Sequence, residues 1–297
     1  MSDVTVEEVG KGFAFRLFTD LGRGQLLDRF GPRAEWLLAV QRKRLAVRPK
    51  EDSALLLASR AGQPVARLAV HVRHGDDDGR FGFFATEDLR DVEAATTILQ
   101  TAADWLVERG RVTMSGPLSW TADQEAGVLV AGHDHPPVTG RAWTPPCLAL
   151  LLEKAGLAPL EEMRSFRLRA EPVPGGPTAR ELALAPARLV VPKELAPYAD
   201  PALLLAGPDH TSIVAVPDVV GGLAEDKARG AWALARKART RAWEGCVVVA
   251  LDGPEAVLVP ALCGAAGRAG YSWVLSPWAP AHTTPVMVHR LYRRPAP

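Results

Sequence analysis

ALLLASRAGQPVARLAVHV, residues 54–72, holds two apolar runs on either side of a turn centred on Gly62-Gln63-Pro64, the pattern of a β-hairpin. After His74 comes Gly75-Asp76-Asp77-Asp78-Gly79, and then Arg80-Phe81-Gly82-Phe83-Phe84-Ala85, so a second hairpin adds a third antiparallel strand. The period then changes. From Asp91 to Arg109 the apolar residues Val92, Ala95, Ile98, Leu99, Ala102, Trp105 and Leu106 recur at helical spacing, and Gly110 follows as a C-cap. Arg111 to Pro117 reads as a strand, and Pro146 to Ala155, closed by Gly156, as another helix.

The same order recurs further on. Ala202 to Ala206 echoes Ala54 to Ala58, Ser212 to Val216 reads as the return strand, and Cys246 to Leu251 as a buried strand. A helix over Glu255–Arg268 then leads into Ala269 to Pro277, which matches the earlier block from Glu108 to Pro117. Repetition at a spacing of about 150 residues indicates a duplicated domain, since solenoid units run to roughly 20–50 residues. Between the copies, Arg169 to Pro177 reads RAEPVPGGP, in which proline and glycine stop both helices and central strands. The expected organisation is an N-terminal domain over 1–168, a linker over 169–178 and a C-terminal domain over 179–297. The fold class is α/β (α+β mixed sheet): each half a mostly antiparallel mixed sheet flanked by helices.

Length and composition agree with two folded domains: 297 residues, 47% hydrophobic and 23% charged. The formal net charge of +1 supplies no global field toward nucleic acid or an anionic membrane. Cys147, Cys246 and Cys263 are odd in number, widely spaced and flanked by apolar residues, as reduced core thiols are. Met1 to Glu8 has no secretory character, and no apolar run reaches the roughly 20 residues that span a bilayer, so a cytoplasmic location without membrane partners is expected. His71 and His74 are an odd number apart on a strand and cannot share a metal, and His133 and His135 have no acidic or cysteine partner at zinc spacing; no metal is expected.

Strand, hairpin, third strand, helix, strand, helix is the order of the GNAT superfamily, the Gcn5-related N-acetyltransferases. Gly82-Phe83-Phe84, the helix ending in Ala103 to Gly110, Ser115 to Ser119, Asp123 to Val130, His135-Pro136-Pro137, Gly270 to Leu275 and His289 to Arg294 resemble a tandem bacterial branch of it. The resemblance implies transfer of an acyl group from acetyl-CoA or another acyl-CoA to the amine of a small-molecule acceptor. It implies a pantetheine arm between two splayed strands, at Phe84 and Ala85 in the first half or at Leu251 and Gly253 in the second, and a pyrophosphate at a helix N-terminus. The superfamily's Arg/Gln-x-x-Gly-x-Gly/Ala loop is missing from both halves. Glu87, Asp88, Asp91 and Glu93 occupy the first helix start and Asp252-Gly253-Pro254-Glu255 the corresponding turn of the second; carboxylates at either start complement the helix dipole and repel phosphate, and of the two Gly253 marks the better candidate.

For proton transfer the resemblance points to the cluster Asp123, Glu125, His133, Asp134 and His135, with Glu125 or His133 as base; a solvated loop is the other reading of these positions. Trp143 and Cys147 stand where related sequences carry tyrosines, which leaves Tyr292, near the chain's end, as the proton donor, or else as a core tyrosine. Lys227 to Trp243 interleaves arginines with tryptophans and is expected as a basic helix. Paired GNAT-like halves also occur in aminoacyl-tRNA-dependent transferases, and Arg236, Lys237 and Arg239 would then hold tRNA. A non-catalytic binding protein with two decayed halves is the third reading.

Overall fold

The computed structural model describes residues 3–10, 12–33, 35, 38–39, 41–42, 45, 53–72, 77–120, 126–135, 143–171, 179–183, 212–217, 232–240, 243–252, 255–268 and 271–295. The first half comprises β1 (Val4–Glu8), α1 (Phe13–Asp20), α2 (Arg23–Phe30), β2 (Ser53–Arg60), β3 (Gln63–Val72), β4 (Gly79–Thr86), α3 (Val92–Val107), β5 (Thr113–Gly116), β6 (Val128–Ala131), α4 (Leu148–Lys154) and β7 (Ala158–Arg169). The second comprises β8 (Ala179–Ala183), β9 (Ser212–Pro217), β10 (Trp232–Thr240), β11 (Trp243–Asp252), α5 (Glu255–Arg268) and β12 (Trp273–Ser276), and the chain closes with β13 (Met287–Pro295). The strands form one mixed sheet in the order β1-β2-β3-β4-β5-β13-β7-β12-β11-β10-β9-β8, with β6 beside β13.

The run of leucines in β2 is buried on both faces because each face meets a different layer. Ala54, Leu56 and Ala58 join the core under α3 with Ala95, Ile98, Leu99, Ala102 and Leu106. Leu55 and Leu57 alternate to the other face, where Phe18 of α1 and Leu21 cover them. Helix α3 begins at Asp91, whose side chain accepts from the Ala94 N–H, and ends where Gly110 turns at φ +72°. Arg60 at the end of β2 reaches Asp91 and Glu93, so the helix start is held onto the sheet as well as capped. Hydrogen bonding to Arg60 lowers the Asp91 pKa. Asp91→Ala is therefore expected to destabilise the protein by about 0.5–2 kcal/mol near neutral pH. A depressed folded pKa contributes stability that is present above the unfolded value of about 3.9 and lost as pH falls through the folded value, so wild type and variant converge in acid; urea titrations across that range check this.

The two halves repeat their internal design. In each, an antiparallel hairpin (β3-β4, β10-β11) is followed by a helix and a strand parallel to the hairpin's second member. Of the expected linker over 169–178, residues 172–178 lie outside the described residues. Arg169 is the last residue of β7, and the Ala170 N–H donates to Ser272 O. Strand β7 pairs through its first part with β13 and through Phe166–Arg169 with β12. β13 follows the second half in sequence yet lies between β5 and β7 of the first. The two halves of the sheet thus continue into each other through β7, which pairs with both β13 and β12, and through β13, which lies among first-half strands.

Two sequence expectations are corrected. The basic segment is not a helix: Trp232–Thr240 is β10, hydrogen-bonded to β9 on one side and β11 on the other, with Arg236, Lys237 and Arg239 opposite Val247, Cys246 and Glu244. Alanine, arginine and lysine favour helix, but propensity is a weak prior against strand pairing on both edges. Cys147 is exposed, because it stands in the turn before α4 and not within the apolar face that follows. Cys263 is buried in α5, where desolvation pushes its thiol pKa up to about 11. Among the described residues, no helix is long and apolar enough to cross a membrane.

Candidate functional site

Each half carries a β-bulge on the hairpin strand that borders the parallel strand. On β4, Ala85 pairs with Arg67 and Gly82 with Ala69, so the extra residue falls at Phe83-Phe84, and Phe83 takes φ +52°. On β11, Ala250 pairs with Leu234 and Val248 with Ala235, which makes Val249 the extra residue. A bulge bends its strand and raises its local twist, and this is where the strand is set to diverge from its parallel neighbour.

In the second half the divergence is visible in the register. β11 and β12 pair over Gly245–Val247 and Trp273–Leu275; β11 then runs on to Asp252, while β12 ends at Ser276. Helix α5 begins at Glu255, shortly after β11 ends, and its first residues, Glu255 and Ala256, are exposed. Leu251 lies on the unpaired stretch of this edge, opposite Ala233 of β10 on its other side. Gly253 falls outside the described residues. Among the described residues, β11 extends five residues past its last pair with β12, beside a helix start at which Glu255 and Ala256 are exposed and Glu255 is acidic.

The first half is arranged differently. β4 and β5 pair only at Gly79 with Met114 and Arg80 with Ser115, and the chain beyond β5 then turns onto the sheet. The Leu118 N–H donates to Phe81 O at 2.6 Å, and the Leu118 carbonyl lies 3.1 Å from His71 Nε2. This approach needs glycine on both strands. An ideal Cβ on Gly82 would come within 2.1 Å of Leu118 O, and one on Gly116 within 2.3 Å of Phe81 O. Trp120 then covers the segment, its ring 5.1 Å from His71 and 5.2 Å from Phe83. Gly82→Ala is expected to cost about 1–3 kcal/mol, because the atom it meets is backbone; a urea midpoint equal to wild type would contradict the contact.

The helix start of this half is likewise taken by its own chain. Asp91 caps it, Arg60 bridges Asp91 and Glu93, and Glu87 accepts from the Gly22 N–H at 3.0 Å. Gln25 of α2 donates to Thr86 O at 2.7 Å, tying α2 across the end of β4. Phe84 lies in the α3 core and Ala85 packs against the α1 cluster, so both proposed donor-side residues of this half are packing residues in the structure. The residues present do not fit an acyl-CoA here.

Of the three residues read as catalytic, the structure describes His133 and Tyr292, which stand in different surroundings. Glu125 lies outside the described residues. Tyr292 sits on β13 in the first-half core, fully buried, with its hydroxyl donating to Glu153 Oε1 at 3.1 Å. Burial, reinforced by the Glu153 charge, pushes its pKa up to about 12. His133 stands at the junction of the halves. Its Nε2 is 3.1 Å from Leu129 O, and since a carbonyl only accepts, the proton is on Nε2 and Nδ1 is left as the basic nitrogen of the neutral ring. Its own carbonyl accepts from Arg29 Nη2 and Trp143 Nε1. Leu129 and Trp143 in turn pack with Trp273 and Leu275 of β12 and Met287 of β13. The sequence reading passed over Trp143 as a site residue; its indole fixes the His133 loop against β12, and no local pattern signals that long-range contact.

No protein-family model matches the chain. It is 31% identical over 120 residues to the bacterial ceramide synthase of Caulobacter vibrioides, a match covering 38% of this chain and 31% of that protein. It is 34% identical over 106 residues to protein YghO of Escherichia coli, covering 34% of this chain and 27% of that one. The matched stretch is thus under a third of each relative's length. Among solved structures, a tandem GNAT protein from the clavulanic acid biosynthesis pathway superposes with TM-score 0.61 at 13% identity over 99% of both chains. A GCN5-related N-acetyltransferase from Anabaena variabilis superposes at 0.55 and 13% identity, over 99% of this chain and 73% of that one. The fold is that of the GNAT superfamily, with two units in tandem.

Proposed function

We propose that this protein is an acyl-CoA-dependent N-acyltransferase whose donor site is the parting of β11 and β12 in the second half. The observation that carries the reading is the loss of β11–β12 pairing after Val247 and Leu275, next to a bulge and the start of α5. The donor supplies a thioester carbonyl when bound. The chain's own contribution is positional: the edge of β11 offers N–H groups to an extended arm, and the junction cluster of Leu129, Trp143, Trp273 and Leu275 walls the approach beside β12. His133 Nδ1 is the proposed acceptor of the amine's proton. The similarity to a ceramide synthase suggests the acceptor class, since a ceramide is an N-acylated long-chain amine.

The test combines binding and turnover. Acetyl-CoA and a long-chain acyl-CoA at 100 times their Kd are expected to stabilise the fold by about 2.7 kcal/mol, read as a rise in Tm. With a long-chain amino alcohol as acceptor, free thiol and amide are expected in equal amounts, and His133→Gln is expected to lower kcat by about 100-fold or more with the Tm shift by acyl-CoA retained. No Tm shift at millimolar acyl-CoA would sink the reading.

A further inference from the structure

We infer that the first half is closed to an acyl donor by its own chain, so that the protein takes up a single acyl-CoA, in the second half. The inference rests on the proposed function only for the identity of the donor. Its basis is that the segment after β5 and the start of α3 in the first half already have intramolecular partners. The Leu118 N–H takes Phe81 O beyond the last β4–β5 pair, and the Leu118 carbonyl faces His71 Nε2. Gly82 and Gly116 let this segment approach closer than any Cβ allows, so the closure is written into the sequence on both strands. Ser119 and Trp120 are 4% and 8% exposed, so the segment is part of the core and not a lid over it.

The anion end is closed by charge. A diphosphate at the start of α3 would meet Asp91, Glu93 and Glu87. Of these, Asp91 and Glu93 already hold the Arg60 guanidinium, at 2.5 and 2.8 Å, and Glu87 the Gly22 N–H. Binding there would expel a capping carboxylate, break an ion pair and place like charges together, all unfavourable terms. The bulge at Phe83-Phe84 still marks where the two halves share a design. In the first half the bulged strand packs against Trp120; in the second it runs on past its last pair with β12.

Native mass spectrometry of the full chain with saturating acetyl-CoA, together with hydrogen exchange resolved at single amides, tests this. The expected result is one acetyl-CoA per chain, with Leu118 N–H exchange slowed at least ~1,000-fold before ligand and unchanged after it, and new protection confined to Val248–Ser276. Two acetyl-CoA per chain, or one whose new protection falls within Phe81–Trp120, would overturn the inference. Absence of any bound acetyl-CoA would sink the donor reading while slow Leu118 exchange upheld the closure; Leu118 exchange within ~10-fold of an unfolded peptide would overturn the closure whatever the stoichiometry.

Discussion

A chain cut after Val286 is expected to lose the folded first half, although every residue up to 286 is retained. The deleted β13 fills the position between β5 and β7, and its removal leaves both with an unpaired edge. It also removes the buried side chains of Met287, Leu291 and Tyr292, exposed by 1%, 5% and 0%. Truncating a buried side chain of this size costs about 2–5 kcal/mol, so three together reach the about 5–15 kcal/mol that holds a domain. Loss of cooperative unfolding and rapid exchange throughout β2–β5 are the expected readouts. A truncated chain with wild-type protection in β4 and β5 would show that the exchanged strand is dispensable.

Within β13 the largest single effect is expected at Tyr292. Its ring is fully buried in the α3 core, and its backbone lies opposite Gly116 on one side and Pro159 on the other. Tyr292→Ala is expected to cost about 3–5 kcal/mol. Tyr292→Phe keeps the ring and removes the hydroxyl's hydrogen bonds to Glu153 and Arg290, which still pair with each other at 3.5 Å, so about 1 kcal/mol is expected. The two variants separate in alkali. The folded pKa of Tyr292 is raised from 10.0 to about 12, so the hydroxyl contributes stability that is intact below the unfolded value and lost as pH rises through the folded one. Wild type should therefore lose stability more steeply than Tyr292→Phe across that window. Equal slopes in urea denaturation would contradict the burial of the phenol, and a Tyr292→Phe protein with native Tm but no turnover would restore it as a proton donor.

What the sequence disclosed was what local pattern decides. The leucine run of residues 54–58, the turn at Gly62, the helical period from Val92 to Leu106 and Gly110 all carry their signal within a few residues, and β2, β3, β4 and α3 formed where these signals stand. In the second half β9, β11, α5 and β12 stand where strands and a helix were read, while Ala202 to Ala206 lies outside the described residues. The exchange of β13 was not, because β-pairing partners are chosen by complementarity across the chain, and Met287–Pro295 reads as a strand whichever sheet receives it. Arg236, Lys237 and Arg239 misled in the opposite direction: helix-favouring residues were carried into β10 by their neighbours β9 and β11. At the helix starts, the phosphate loop missing from both halves was plain in Glu87, Asp91 and Glu93 and in Asp252 and Glu255. That Leu118 and Trp120 fold back over Gly82 was not, since only the structure brings those residues together.

The account depends most on where the acyl donor lies. A photo-reactive acyl-CoA, with a diazirine in its acyl chain, can be irradiated with the full-length protein and the labelled peptides sequenced. Label within Val248–Asp252, Trp273–Val286 or the His133–Trp143 junction is the predicted result. Label confined to Phe81–Thr86 and Thr113–Trp120 would place the donor in the first half and contradict the account.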